Sequence, residues 1–211
     1  MTKTDVILEK LSLMFPDAKV ELDHKNHFEL LIAVVLSAQT TDVSVNKVTP
    51  KLFETYPTPD ELSKAMTSDV EKLIQTIGLY KNKAKHIIEL SKILIEKHDG
   101  IVPNTREELE ALPGVGRKTT NVVLSNAFGI PALAVDTHVD RVSKRLGLAK
   151  PSDSVLDVEK KLMRKFPKST WKNLHHQLIF FGRYHCLAKN PKCEICPLYD
   201  QCVYKDKKKR D

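Results

Sequence analysis

Apolar residues recur at helical spacing along nearly the whole chain, and the period-two alternation that is typical of strands is rare. The most apolar stretch, His27–Gln39, is hydrophobic almost all round, which indicates a helix buried on every side. We expect this helix at the centre of the fold. Further helices are predicted over residues 80–97, 117–128, 137–146, 154–166 and 170–181. The predicted fold class is all α.

Capping and turn signals separate these segments. A hydroxyl residue followed three positions later by glutamate has the spacing of a capping box, and it occurs at Thr58–Glu61, Ser68–Glu71 and Thr105–Glu108. Glycines stand where helix ends favour a positive φ, at positions 78, 100, 129 and 147. No linker or fixed-period repeat interrupts the pattern, and only residues 205–211 are typical of a solvated basic tail.

Composition and charge narrow the function. The chain has 211 residues, 34 Lys plus Arg against 27 Asp plus Glu, and a net charge of +7, which favours a polyanionic partner such as nucleic acid. Aromatic residues are 6% of the chain, too few to favour a single-strand stacking platform, so duplex DNA is the better candidate. A signal-peptide pattern and a membrane-length apolar run are both missing, which predicts a cytoplasmic protein with no membrane partner.

The stretch LPGVGRKTTNVV, residues 112–123, predicts two helices joined by a glycine hairpin. Positive φ at Gly114 and Gly116 would let the backbone turn around Val115 and aim its N–H groups outward. The next helix, beginning at Arg117, adds the positive end of its dipole, so the hairpin is a candidate phosphate site. The alternative is an ordinary turn with no ligand.

The four cysteines of the chain are clustered near its end as C-x6-C-x2-C-x5-C, at Cys186, Cys193, Cys196 and Cys202. In a reducing compartment such a cluster predicts metal ligands before disulfides. The spacing alone leaves zinc and an iron–sulfur cluster both open.

These motifs together resemble the endonuclease III branch of the helix-hairpin-helix DNA glycosylases. The resemblance runs from LLIAVVLSAQTTD (30–42) through the hairpin and VDTHV (135–139) to the cysteines, essentially the entire chain. It implies a two-lobed architecture, with a six-helix domain at 22–131 whose hairpin spans about 106–128. The second lobe, 1–21 with 132–211, would hold a [4Fe–4S] cluster on the four cysteines.

The resemblance also implies a catalytic pair, Lys118 and Asp136, facing each other across a cleft. Lys118 would be the nucleophile, since lysine at this position marks glycosylases that are also lyases. Asp136 would help to activate the nucleophile and stabilise the charge that develops on the sugar. From the residues alone, Lys118 is as readily a phosphate contact and Asp136 a helix cap, although Thr137 is a second candidate for that cap.

Further DNA contacts follow from the same resemblance. Gln39 and Leu79 match residues that enter the duplex when the damaged nucleotide is extruded. Without the family match, they would be interpreted as a polar helix end and a core leucine. Lys189 and Lys192, between the first two cysteines, are candidates for phosphate contacts, with solvated surface lysines as the alternative.

The implied function is a bifunctional DNA glycosylase and abasic-site lyase of base excision repair. It would excise oxidised or ring-saturated pyrimidines from duplex DNA and cleave 3′ to the lesion, acting as a monomer at the nucleoid. Mismatch thymine or uracil glycosylases and pyrimidine-dimer glycosylases of the same family remain alternatives, because pocket residues set base choice. A non-catalytic iron–sulfur DNA-binding protein is the rival outside enzymes, and it would need neither Lys118 nor Asp136.

Overall fold

The structure, a computed structural model, describes residues 1–209. The described residues form helices and no strands, which confirms the all-α fold class. In chain order the α-helices are α1 (Lys3–Met14), α2 (His27–Leu36), α3 (Asp42–Thr55), α4 (Pro59–Ser63), α5 (Thr67–Ile74), α6 (Tyr80–His98), α7 (Arg106–Glu110), α8 (Arg117–Ala127), α9 (Thr137–Arg145), α10 (Val155–Lys165) and α11 (Trp171–Phe180). None of these helices has the length and apolar character that crossing a membrane requires.

The chain divides into two compact units. The hairpin unit is continuous, Glu21–Ile130, and contains α2 to α8. The cysteine unit combines Met1–Val20 with Pro131–Asp211. Residues 210 and 211, the last two of the expected basic tail, lie outside the described part of the chain.

Helix α2 is the core of the hairpin unit. Every residue from Phe28 to Leu36 is buried, which confirms the expectation of a helix enclosed on all sides. The helix ends at Leu36, three residues before the predicted end at Gln39. Because Gln39 has a φ of 55°, it cannot continue a right-handed helix and instead turns the chain towards α3.

Two of the predicted helix-end signals are wrong in this unit. Helix α5 begins at Thr67 with Met66 as an uncapped N-cap, so Ser68 lies inside the helix and forms no capping box. Gly78 does not have a positive φ, and the left-handed residue is Leu79, one position later, at 59°. The capping box of Thr58 and Glu61, by contrast, is present at the start of α4.

The cysteine unit has its own apolar core. Helices α1, α9, α10 and α11 contribute buried side chains to it, and the half-buried Cys186, Cys196 and Cys202 pack against its edge. After α11 the chain widens into a π-helix, Phe181–His185, which delivers Cys186. A π-helical turn of this kind frequently marks a functional position.

Lys207, expected in a solvated tail, folds back instead. Its Nζ donates to the Tyr199 and Cys202 carbonyl oxygens at 3.1 and 2.9 Å and lies 4.2 Å from the centre of the Tyr199 ring. Two carbonyl acceptors and a cation–π contact with the aromatic ring stabilise the ammonium in this position.

Candidate active site and cysteine cluster

The glycine hairpin joins α7 to α8, and its two glycines differ. Gly114 has a φ of 77°, and a Cβ there would lie 3.1 Å from both His86 Nδ1 and Val35 Cγ1. Gly116 has a φ of −101° and a ψ of −179°, so the expectation of a positive φ at this residue is wrong. It is the extended N-cap of α8, a conformation that any residue adopts.

A Cβ on Gly116 would meet nothing within 4 Å. Neither backbone conformation nor internal packing therefore requires glycine at this position. The space beside Gly116 is therefore open to a group that approaches from outside the chain. Val115, between the two glycines, is buried, and its amide donates to the Leu112 carbonyl at 3.1 Å, so this residue fixes the turn from inside.

The first turn of α8 presents two cations to solvent. Arg117 and Lys118 are its first two residues and both are exposed. Gly116 gives no side-chain cap to the N–H groups of this turn, and the turn itself contains no acidic residue. The start of α8 therefore keeps the partial positive charge of its dipole.

The hairpin is braced by a contact that the sequence patterns did not reveal. Arg106, at the start of α7, donates to Asn121 Oδ1 of α8 at 2.6 Å and pairs with Glu110 at 2.9 Å. Asn121 is buried, so this hydrogen bond ties the two helices together on the inner side of the turn.

Asp136 begins α9 and is its N-cap, with Oδ1 accepting from the His138 and Val139 amides at 2.9 and 2.8 Å. Asp136, and not the alternative candidate Thr137, is therefore the cap, because its carboxylate reaches both amides from the extended N-cap position. Both hydrogen bonds use the same oxygen. Within the described part of the chain, Oδ2 has no hydrogen bond, so capping leaves half of the carboxylate available.

His138, the next candidate on α9, packs inside the cysteine unit. A Cβ on Gly182 of the π-helix would lie only 2.8 Å from His138 Cβ, so the two segments touch closely at this point. Burial lowers the pKa of His138, which keeps its ring neutral near pH 7. We interpret the residue as structural.

Gln39 and Leu79 share an unusual backbone. They have φ values of 55° and 59°, and within the described residues the other non-glycine positions with positive φ are Asp99 and Asn190, residue types that tolerate it better. Leu79 is 57% exposed, which contradicts the interpretation as a core leucine. A Cβ on Gly78 would lie 4.0 Å from the Gln39 carbonyl oxygen, so the two segments run side by side.

The four cysteines line one cavity. A single zinc ion requires four thiolates converging at about 2.3 Å. A [4Fe–4S] cluster instead takes one thiolate on each iron, so its ligands surround a larger space. Four cysteines that line one cavity supply the four thiolates that such a cluster needs.

The chemistry of the thiols agrees with this fit. Burial raises the pKa of Cys196 to about 11 and also raises that of Cys186, so neither thiol would ionise at neutral pH without a metal. Buried Arg145 donates to Cys186 Sγ at 3.4 Å and to the carbonyls of Leu187 and Ala188 at 2.7 and 3.1 Å. The arginine therefore supports both a ligand and the loop that follows it.

Lys189 and Lys192 lie in that loop and both are exposed. The loop turns through Asn190 at a φ of 50° and is anchored by the amide of Lys192 donating to the His185 carbonyl at 3.1 Å. Its backbone is thus held at both ends while the two ammonium groups face solvent.

The structure gathers the four cysteines, places Gln39 beside the segment of Leu79, and puts Lys118 and Asp136 each at a helix start in its own unit. Sequence reasoning missed Lys83, Arg106 and Arg145. Lys83 and Arg145 could have been found from their positions, because both lie on the helix face that otherwise carries buried apolar residues.

Two family descriptions match the chain. Residues 32–168 match the HhH-GPD superfamily base excision DNA repair protein, and residues 186–202 match the iron–sulfur binding domain of endonuclease III. The chain carries a [4Fe–4S] cluster accordingly.

Individual relatives agree. Endonuclease III of Bacillus subtilis (strain 168) is 54% identical over 211 residues, covering 100% of this chain and 95% of the relative. A structure of a trapped endonuclease III–DNA covalent intermediate, an estranged-adenine complex, is 56% identical, covers 96% of each chain and has a TM-score of 0.92. A thermostable thymine-DNA glycosylase is 26% identical, covers 96% of each chain and has a TM-score of 0.84.

Proposed function

The chain belongs to the endonuclease III family within the HhH-GPD superfamily of base excision DNA repair proteins, and from this premise we propose how its residues act on DNA. The activity is that of a DNA glycosylase with abasic-site lyase activity. The observation that carries the assignment of roles is the exposed amine of Lys118 in the first turn of α8, whose N-terminus has no side-chain cap.

Lys118 is the nucleophile. Its neutral Nζ attacks the sugar C1′, and the bond from C1′ to the damaged base breaks, with the electron pair and then a proton going to the base. The sugar ring then opens as the C1′–O4′ bond breaks, O4′ takes a proton from solvent, and the nitrogen keeps one proton in a cationic Schiff base with C1′. That Schiff base acidifies the neighbouring C2′–H, and elimination then breaks the C3′–O bond, so the strand is cut 3′ to the lesion.

Asp136 provides the carboxylate for this step. Its Oδ1 is held by two amides at 2.9 and 2.8 Å, which orients the group, and Oδ2 is left to stabilise positive charge on the sugar or to accept a proton from the amine. In the substrate complex we place this oxygen beside the reacting sugar.

The hairpin supplies phosphate binding. Gly114 turns the backbone, Gly116 leaves space for a phosphate oxygen, and Arg117 adds a positive charge at the start of α8. Lys189 and Lys192 add phosphate contacts from the loop that the cluster stabilises. None of these contacts reads a base, so they position the DNA without choosing the lesion.

Gln39 and Leu79 fill the gap that base extrusion leaves in the duplex. Both are exposed residues in a left-handed conformation that their side chains disfavour, and strain of this kind is concentrated at functional positions. An apolar wedge beside a polar side chain suits the unstacking of one base step.

The four cysteines are the proposed ligands of the cluster, which, when bound, supplies a rigid cross-link between the cysteine loop and the unit core. Arg145 donates to the Cys186 sulfur and orients that ligand. Cys196→Ser is expected to lower the iron content below about four per chain and to release the loop to protease, whereas full iron retention would remove Cys196 from the ligand set.

We further propose that the substrate is duplex DNA with an oxidised or ring-saturated pyrimidine and that the chain acts as a monomer in the cytoplasm, at the nucleoid. The extent of the hairpin unit, Glu21–Ile130, supports the proposed hairpin-bearing domain of 22–131, although the unit contains seven α-helices, α2 to α8, where six were expected. A panel of duplexes containing thymine glycol, a uracil or thymine mismatch, or a pyrimidine dimer ranks these lesions directly. Faster excision from a mismatch would favour the activity of the thymine-DNA glycosylase relative instead.

Borohydride trapping tests the nucleophile. Wild-type chain on a thymine glycol duplex is expected to form a covalent adduct, and Lys118→Gln is expected to lose trapping and strand cleavage by at least about 10³-fold while still binding DNA. Lys97→Gln, at an exposed lysine of α6 outside the proposed contacts, is the matched control. Trapping that persists in Lys118→Gln would assign the Schiff base to another amine.

A further inference from the structure

Lys83 is a buried lysine of the hairpin unit with no part in the chemistry above. It is 4% exposed, in the first turns of α6, and burial lowers its pKa. Among the described residues, Thr40 Oγ1 is the one hydrogen-bond partner of its ammonium, at 2.7 Å. A neutral hydroxyl is weak compensation for removing an ammonium from water.

Two further features make the position unfavourable for a cation. Lys83 lies near the positive end of the α6 dipole, and the N-cap of this helix, Leu79, offers no side-chain cap. An apolar side chain of the same length would satisfy the packing without these penalties. Conflicts of this kind between a residue and its surroundings are expected at functional sites.

The hydrogen bond connects the two strained segments. Thr40 directly follows Gln39, and the amide of Lys83 donates to the Leu79 carbonyl at 3.0 Å in the first bond of α6. The side chain of Lys83 thus runs from the segment of Leu79 to that of Gln39, over a sequence separation of 43 residues.

We propose that Lys83 is a positioning residue that holds Gln39 and Leu79 at the separation needed to enter DNA together. The proposal rests on the proposed function in one respect, that these two side chains enter the duplex. We place no contact between Lys83 and DNA, because the residue is buried and its ammonium donates to Thr40. When its ammonium is removed, Thr40 loses its donor and the Gln39 turn can relax towards a less strained conformation.

The test compares Lys83→Met with Lys85→Met, which removes an exposed lysine from the same helix. The readout is the fluorescence of 2-aminopurine placed opposite a thymine glycol, in the Lys118→Gln background so that no cleavage occurs. We expect Lys83→Met to lose most of the unstacking signal and, with Lys118 intact, to lower single-turnover excision roughly 10- to 100-fold. Lys85→Met is expected to match wild type in both.

The thermal stability of Lys83→Met shows whether Lys83 positions the two segments or only stabilises the fold. The thermal midpoint of Lys83→Met is expected to stay level or rise, because a buried charge is replaced by an apolar group. A fall of more than about 4 °C, or wild-type unstacking and excision, would overturn the proposal.

Thr40 provides the conservative pair. Thr40→Ser keeps the hydroxyl and is expected to retain the unstacking signal. Thr40→Val removes the hydroxyl at nearly constant shape and is expected to lose as much signal as Lys83→Met. Combining Thr40→Val with Lys83→Met is expected to cause no further loss. Equal behaviour of the serine and valine variants would contradict the connection. A wild-type chain that neither cuts nor is trapped would instead contradict the proposed function, which keeps the two failures distinct.

Discussion

Helices α8 and α9 begin with nearly the same backbone and opposite electrostatics. The N-caps Gly116 and Asp136 both have a φ of −101°, with ψ values of −179° and −174°. Gly116 leaves the first amides of α8 available to an anion, whereas Asp136 satisfies two amides of α9 with its own carboxylate. One conformation therefore makes either an anion site or an oriented carboxylate, depending on a single side chain.

The largest effect is expected from removing the charge on α9. Asp136→Asn keeps an oxygen that can cap α9 but loses the negative charge, so we expect excision to fall by roughly 10²- to 10⁴-fold. The thermal midpoint should change little. Asp136→Ala loses the cap as well and should be destabilised by about 1 kcal/mol.

Single-turnover excision and thermal unfolding of both variants check this prediction. Asp136→Asn that retains full excision would assign Asp136 to capping alone. An asparagine variant as unstable as the alanine variant would instead attribute the stability to the charge rather than to the hydrogen bonds.

The opposite substitution gives α8 the kind of N-cap that α9 has. Gly116→Asp would place a capping carboxylate at the start of α8, and we expect DNA affinity to fall at least about tenfold while stability rises by about 1 kcal/mol. Fluorescence anisotropy with an abasic-analogue duplex and urea unfolding measure the two changes.

Gly116→Ala is the control for this prediction, since its Cβ would meet nothing within 4 Å of the chain. It should fold normally, and any loss of affinity then reports the close approach of DNA. Undiminished affinity in Gly116→Asp would place the phosphate away from this helix start.

A third prediction compares the two glycines of the hairpin, Gly114 and Gly116, by the stability of their alanine variants. Gly114→Ala imposes a left-handed conformation on alanine and brings its Cβ to 3.1 Å from His86 and Val35, so we expect a loss of roughly 1–3 kcal/mol of unfolding free energy. Urea unfolding checks it. A variant as stable as Gly116→Ala would show that the hairpin tolerates both positions equally.

The smallest expected effect is on how the unfolding free energy of the cysteine unit depends on pH. Burial, followed by the neighbouring His175, lowers the pKa of His176 to about 3 from an ordinary value of 6.5. The unfolded chain therefore binds a proton below pH 6.5 that the folded chain refuses until about pH 3. This contribution to stability is complete above pH 6.5 and declines as the pH falls, by up to about 1.4 kcal/mol per unit.

His176→Gln removes this titration, so the difference in unfolding free energy between pH 6.5 and 5.5 should be smaller than in wild type. Urea unfolding at both pH values, with the iron content verified, measures it. Equal pH dependence in the two proteins would mean that His176 is accessible to protons when folded.

Much of the local structure could be predicted from the sequence. The capping box at Thr58 and the buried helix α2 were confirmed because each depends on neighbours within a few residues. The errors at Ser68, Gly78 and Gly116 came from signals that fit more than one backbone conformation. Packing decided between them, as when the left-handed position fell on Leu79 instead of the glycine before it.

The helical spacing of apolar residues was enough to predict the all-α class. Short motifs of fixed spacing were enough to identify the family, the four cysteines and the candidate pair of Lys118 and Asp136. Only the packing of the helices determined that Lys83 is buried against Thr40 and that Arg145 supports Cys186. Burial and hydrogen-bond partners across 40 or more residues depend on how helices pack, and no local pattern specifies that packing.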